Sequence, residues 1–439
     1  MSACTTVRQD HLHLFTLNNG MRVLVVEDHR AEVVTHAVWH GIGSAHEKPG
    51  KTGLAHFFEH LMFKGTEKVP SGEYDRTVKR LGGVFNAFTS YDMTAYYVTA
   101  AKANLEKVVE LEADRMVNLR LTPEDVATEL KVILEERSYR IDNDPTERFM
   151  EKFNHAHYRN HPYGIEVIGW RQDMEGLTRE DALAWYKDYY APDHALAVFA
   201  GAVTVEEARA LAEKYYGPLQ PQGVHAPVIA PLPAWTDGPQ TVTVHDAEVK
   251  VPAVYVRYRT PSFFQGVAGA KPNRKEALAL SLGLDLLADG TRSYLYQQLV
   301  TDRRVVDRVS FGMMPSMRFE GFAQLYLQPA TAQDPQAVLA AYQEVLPGFA
   351  AWLTPEKLAA EITTWRAQQV FGRDNVADYA EGLAHWLILG GALEEYDQLL
   401  EIAKTVTVAD VQAAVAKYIV PAQATTGFLL PVVKADKAA

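Results

Sequence analysis

A chain of 439 residues, 48% hydrophobic and 22% charged, has the make-up of a folded globular protein of two or three domains, not of a disordered or collagen-like polymer. Its formal net charge of −12, with no basic stripe, repels phosphate backbones, so no nucleic-acid partner is expected. The longest apolar stretch, residues 195–203, is far short of the ~18 residues of a membrane span, so no membrane association is expected either.

Read from the amino terminus, Met-Ser-Ala-Cys-Thr-Thr lacks the basic head and apolar core of a signal peptide. The expected location is the cytoplasm, or the periplasm where a leader has been removed. Cys4 is the single cysteine, so no internal disulfide is encoded. A hairpin is predicted where residues 13–17 and 21–26 flank Asn18-Asn19-Gly20, a turn that tolerates positive φ. A strand follows at 33–40, then a helix over about 53–64, with Gly65 suited to a left-handed closing position. Strands are predicted at 84–88 and 94–99, and a long helix from Leu105. Thr122-Pro123-Glu124-Asp125 is a helix start: a cap, a proline at the first turn and two acids at the positive end. That helix should run to about Arg140, with Asn143-Asp144-Pro145 as its exit.

Pro218, Pro221, Pro227, Pro231, Pro233 and Pro239 crowd residues 218–239, which reads as a linker. On either side the chain repeats. Thr178, Asp181, Tyr189 and Pro192 recur as Thr407, Asp410, Tyr418 and Pro421, every pair 229 residues apart. Both segments read as a capped helix, a proline and an apolar strand (196–200 and 428–430). Two related domains, 1–217 and 240–439, are therefore expected around the linker.

His56-Phe57-Phe58-Glu59-His60 carries the chemistry. On a helix the two histidines stand one turn apart on one face, where both can reach a metal ion. Glu59 beside them suits the handling of a water rather than the metal itself. Leu54, Phe57, Phe58, Leu61 and Met62 cover most of that helix, which argues for burial and hence for partners to its polar groups. A third ligand must come from elsewhere. In the helix after Thr122, Glu129 and Glu136 lie on one face with Val126 and Ile133, and the residues alone leave open whether either glutamate is a ligand or merely solvated. The second half carries no copy of the motif: the positions 229 residues beyond the two histidines are Asp285 and Asp289.

His-x-x-Glu-His resembles the inverted zincin signature, and its surroundings are similar to the pitrilysin and mitochondrial processing peptidase family. The resemblance runs through Gly53-Leu54-Ala55-His56, Met62-Phe63-Lys64-Gly65-Thr66, Asn86-Ala87-Phe88-Thr89 with Asp92 and Thr94, Val132-Ile133-Leu134-Glu135-Glu136, His161-Pro162-Tyr163-Gly164 and Ile168-Gly169. It implies an α+β chain of two homologous domains, each a mostly antiparallel sheet with packed helices, forming one half of a clamshell. It implies one zinc ion held by His56, His60 and Glu136, with Glu59 as general base and Glu129 in support of the site. The ligand glutamate follows the second histidine by 76 residues, which selects Glu136 over Glu135. Asn86 and Ala87 would seat an extended peptide substrate. His155, His157 and His161 are not read as a second metal site, since the resemblance places His161 within a Pro-Tyr-Gly turn.

The implied activity is zinc-dependent hydrolysis of short or unfolded peptides; a catalytically inactive relative and a metal-binding adaptor are the alternatives. Active family members also use an Arg and a Tyr from a second-half domain, in Gly-x-Ser-Ser-Arg-Leu and Gly-Leu-Ala-Tyr-Ser-Val. Here Tyr294 stands in place of the Arg and Asp307 in place of the Tyr, with Arg292 two positions from the expected Arg. The expected partner is therefore a homologous subunit that lacks the zinc motif and supplies the missing pair, in preference to a homodimer.

Overall fold

The computed structural model describes residues 7–9, 11–223, 229–232, 235 and 238–432. Parts of the proline-rich stretch 218–239 and Cys4 lie outside them. Among the described residues the strands make two sheets, one of seven and one of five.

The first sheet is built from β1 (Val7–Gln9), β2 (Leu12–Thr16), β3 (Arg22–Glu27), β4 (Val33–His40), β5 (Val84–Thr89), β6 (Thr94–Ala101) and β7 (Ala195–Gly201), in the order β1-β2-β3-β7-β4-β6-β5. The predicted hairpin is β2 and β3. Gly20 supplies φ +91° in its turn, and the buried Asn19 side chain donates to the carbonyls of Tyr216 and Leu219. β7 runs parallel to β3 and is buried along its whole length; every other pair is antiparallel.

The second sheet holds β8 (Gln240–Asp246), β9 (Ala253–Thr260), β10 (Val306–Met313), β11 (Gly321–Pro329) and β12 (Ala424–Pro431), in the order β10-β11-β9-β12-β8. This is the wiring of β5-β6-β4-β7-β3 over again, with β12 parallel to β8 as β7 is to β3. The sequence repeat explains why. Helices Arg179–Tyr189 and Val408–Tyr418 open on the same capping box, Thr178 with Asp181 and Thr407 with Asp410. Each capping aspartate also takes a lysine at 2.7 Å, Lys51 and Lys275 respectively. Each helix is followed by a proline turn and then by its strand.

The compact units are not contiguous halves of the chain. Residues 1–138, 165–229 and 372–396 form one, and 139–164, 230–371 and 397–439 the other. Helix Pro145–Tyr158 belongs with the second sheet because Phe149 and Phe153 are fully buried against Val249, Ala253, Tyr255 and Leu429. Helix Val376–Ile388 packs on β7, β4 and β3, and Arg22 of β3 donates to the carbonyl of Leu387 near that helix's end. The boundary expected at 218–239 is one crossing between units among several.

Two local expectations are corrected. The motif helix spans Leu54–Leu61 and stops short of Lys64, because the chain tightens into turns with Phe63 N bonded to His60 O and Lys64 N to Leu61 O. Gly65 is not left-handed; it is small because a Cβ would lie 2.6 Å from the Ser71 nitrogen. The helix from Pro123 is α-helical to Arg137 and continues as a π-helical turn over Ser138–Asp142, in keeping with the expected end near Arg140, and Asp144-Pro145 caps the next helix as well as marking an exit.

Candidate metal centre

The motif helix begins on glycine for a steric reason. Gly53 sits at φ +87°, and a Cβ there would lie 2.4 Å from the Ile168 carbonyl oxygen. Gly169 makes the reciprocal approach, where a Cβ would fall 2.3 Å from the Gly53 nitrogen. Arg137, buried at the end of helix Pro123–Arg137, donates to the Gly169 carbonyl at 2.6 Å. This junction locks the helix bearing His56 and His60 to the one bearing Glu136. Glu47 caps the motif helix, accepting from the backbone N–H groups of Gly53 and Ala55 at 2.9 and 2.7 Å.

His56 Nε2 and His60 Nε2 then lie 3.7 and 3.4 Å from one oxygen, Glu136 Oε2. Ligand atoms of the three residues fall within 4.8 Å of one another, and among the described residues no other such group occurs. Bonds of ~2.0–2.2 Å at tetrahedral angles separate ligand atoms by about 3.3 Å, so two imidazole nitrogens and a carboxylate so spaced fit zinc and leave a fourth position open. Glu135 is exposed on the same helix, whereas Glu136 faces the histidines.

Glu129 stands behind the cluster. Its Oε1 is 2.8 Å from His60 Nδ1, and its Oε2 pairs with Lys64 Nζ. Holding Nδ1 leaves Nε2 directed at Glu136 and fixes the ring, the usual office of an outer carboxylate. Burial opposes charge on His60, but Glu129 and Glu136 outweigh it and pull the imidazole up to about 9. Burial likewise pushes Glu129 up, yet His60 and Lys64 hold it below its ordinary range.

Glu59 does not join this set. Its Oε2 accepts from the Thr89 hydroxyl at 2.5 Å, at the end of β5. Among the described residues β5 is the outer strand of its sheet, pairs only with β6, and packs against the motif helix. Asn86 is exposed there, and its Oδ1 accepts from the Ala87 N–H at 2.9 Å. An open strand edge thus runs past the cluster.

The other sequence candidates lie elsewhere. His157 Nδ1 is 3.0 Å from Thr425 Oγ1, and His161 Nδ1 accepts from the Tyr163 N–H at 3.2 Å. Burial drives both well below the usual histidine range, and neither joins a metal cluster. In the second unit Tyr294 is a core residue, its hydroxyl donating to the Val345 carbonyl at 2.7 Å. Asp307 is exposed at a bulge of β10, and Arg292 is exposed. Burial, with Glu361 and Asp289 nearby, pushes the Asp285 carboxyl up to about 7, and no ligand set forms around it. Sequence reasoning missed Glu47, Lys64, Thr89 and Arg137 as parts of the site. Only Lys64 had a spacing signal, four residues beyond His60.

Two related sheet-and-helix units, one of them bearing a His-His-Glu cluster that could hold a metal ion beside the outer strand β5, set the class of protein. Residues 22–170 match the family model described as insulinase (peptidase family M16), and residues 176–364 match the one described as the peptidase M16 inactive domain. The chain belongs to the M16 peptidase family. It is 34% identical over 298 residues to the zinc protease PqqE of Helicobacter pylori, covering 67% of this chain and 64% of that one. Over 216 residues it is 34% identical to a probable mitochondrial-processing peptidase subunit beta of Schizosaccharomyces pombe, covering 49% and 47%. The match thus spans about half to just under two thirds of these curated relatives. A solved structure of a protease from Helicobacter pylori superposes with a TM-score of 0.87 at 28% identity, covering 96% of this chain and 99% of that one. Among the described residues, no helix is long and apolar enough to cross a membrane.

Proposed function

We propose that this chain is the zinc-bearing subunit of an endopeptidase that cleaves short or unfolded peptides. The observation that carries the reading is the convergence of His56, His60 and Glu136 next to a carboxylate, Glu59, that stays outside the ligand set. Zinc bound there would polarise the scissile carbonyl and lower the pKa of a water to ~7. Glu59 takes the proton from that water and delivers it to the departing amine nitrogen. Glu129 and Lys64 keep the His60 ring in register throughout. The β5 edge, with Asn86 and Ala87, supplies backbone donors and acceptors to an extended peptide. A peptide must be extended and free of its own pairing to add along that edge, which favours unstructured substrates.

The intact donor set favours this reading over an inactive relative or a metal-binding adaptor. The second unit does not reproduce the expected Arg and Tyr, since Tyr294 is committed to its own core and Asp307 is acidic. An acid would repel a developing oxyanion, and the loss of one such donor typically costs ~10²–10³ in rate. A homologous subunit without the zinc motif is therefore the proposed partner. The test is cleavage of a quenched unstructured peptide by the zinc-loaded chain, alone and with such a subunit, with and without chelator. Feeble activity alone, a rise of orders of magnitude with the partner and loss on chelation are expected. Full activity from the isolated chain, indifferent to Arg292→Ala, would remove the partner requirement.

A further inference from the structure

We propose that Thr89 is a positioning residue for the general base: its hydroxyl pins the Glu59 carboxylate to the strand on which the peptide is laid. The inference rests on the zinc-peptidase reading above. Thr89 closes β5, and its Oγ1 donates to Glu59 Oε2 at 2.5 Å, both side chains being half-buried. The strand is held where this bond needs it. Thr89 pairs in register with Thr94, which is fully buried and donates from its own hydroxyl to the Ile42 carbonyl at 3.0 Å. At the other end of β5 the Phe85 ring lies 5.2 Å from Phe63, just beyond the motif helix. Side chains two apart on a strand share a face. Residues 85, 87 and 89 therefore all look toward the motif helix, with Phe85 and Thr89 as its two anchors.

Between the anchors stands Ala87, too short to fill the space they span. The residue that donates its backbone to a peptide thus lies two positions from the one that holds the base. A carboxylate with one oxygen fixed has its plane set, so the direction of the second oxygen is set as well. Threonine suits the task because its branched Cβ leaves few χ1 choices, so the hydroxyl is aimed before substrate arrives. One short strand then carries both the substrate's register and the base's orientation.

Three variants test this: Thr89→Val keeps the shape without the donor, Thr89→Ser keeps the donor, and Glu59→Gln marks loss of the base. In the zinc-loaded chain, with its partner subunit where activity requires one, Thr89→Val should lower kcat about 10–100-fold with KM within about twofold, the scale of a lost hydrogen bond to a charged group. Thr89→Ser should return to within about threefold of wild type. Zinc affinity should be unchanged in all three. The visible spectrum of the cobalt(II)-loaded protein, which needs no turnover, should move with Thr89→Val in the direction that Glu59→Gln moves it. A Thr89→Val variant with wild-type kcat, equal losses in the valine and serine variants, or a loss of zinc affinity would each overturn the inference while leaving the peptidase reading intact. A wild-type pair that cleaves no peptide would overturn that reading, and this inference with it.

Discussion

Glu129 and Glu136 lie on one helix face seven residues apart, and the structure places them differently. Glu136 shares one oxygen between two imidazoles, while Glu129 touches His60 from behind and Lys64 beyond it. Their amides should therefore behave differently. Glu136→Gln removes a charged donor and should nearly abolish zinc binding, measured by metal analysis after dialysis. Glu129→Gln keeps the ligand set and should cost ~10–100-fold in affinity or activity, as loss of outer support typically does. Equal effects from the two would contradict the division. The histidine pair was legible from spacing alone. The residues alone left the choice among the glutamates open, because exposure of Glu135 and burial of Glu129 depend on what the helix packs against; it was the family resemblance, through the 76-residue interval from His60, that selected Glu136.

A free edge does its work through backbone groups, so β5 is best tested by taking one away. The Ala87 N–H is bonded to the neighbouring Asn86 side chain. Ala87→Pro removes that donor at an edge position where proline is tolerated. KM for an unstructured peptide should rise at least ~5-fold with zinc content unchanged; an unaltered KM would mean that the peptide does not use this donor. The strand itself was among the predicted elements, at 84–88. Its place at the edge was not, since strand order depends on which distant segments pair. Helix Pro145–Tyr158 shows the same limit. Asp144 and Pro145, which cap it, were read only as the exit of the preceding helix, and its allegiance to the second sheet rests on Phe149 and Phe153 meeting residues about a hundred or more positions away. The repeat at an interval of 229 did foretell one shared piece of architecture, because caps and prolines act locally and recur with their strand.

Buried neutral histidines give the whole molecule an acid limit. His36 is fully buried, with Nδ1 2.9 Å from the Val198 carbonyl oxygen and Nε2 2.7 Å from the Tyr216 hydroxyl. Burial pulls it down to about 4, and burial with Arg115 and His194 nearby pulls His40 down to about 3. An unfolded histidine titrates at ~6.5, so below that pH the unfolded chain binds protons that the folded one refuses. Their share of stability should be full above pH 6.5 and fall progressively toward pH 4, by on the order of a few kcal/mol per buried histidine. Urea midpoints at pH 7.5 and 5 should show it as a difference between variants: His36→Phe should lose less, or gain more, on acidification than wild type. Equal pH dependence of the two would contradict this.

Glu59 is proposed to act on water without holding the metal, and one paired measurement tests that most directly: metal content and peptide turnover of Glu59→Gln beside wild type, each with the partner subunit. Both proteins should carry one zinc per chain, while turnover of an unstructured peptide should fall at least ~10²-fold in the variant. A variant that lost its zinc, or one that kept zinc and cleaved at the wild-type rate, would contradict it.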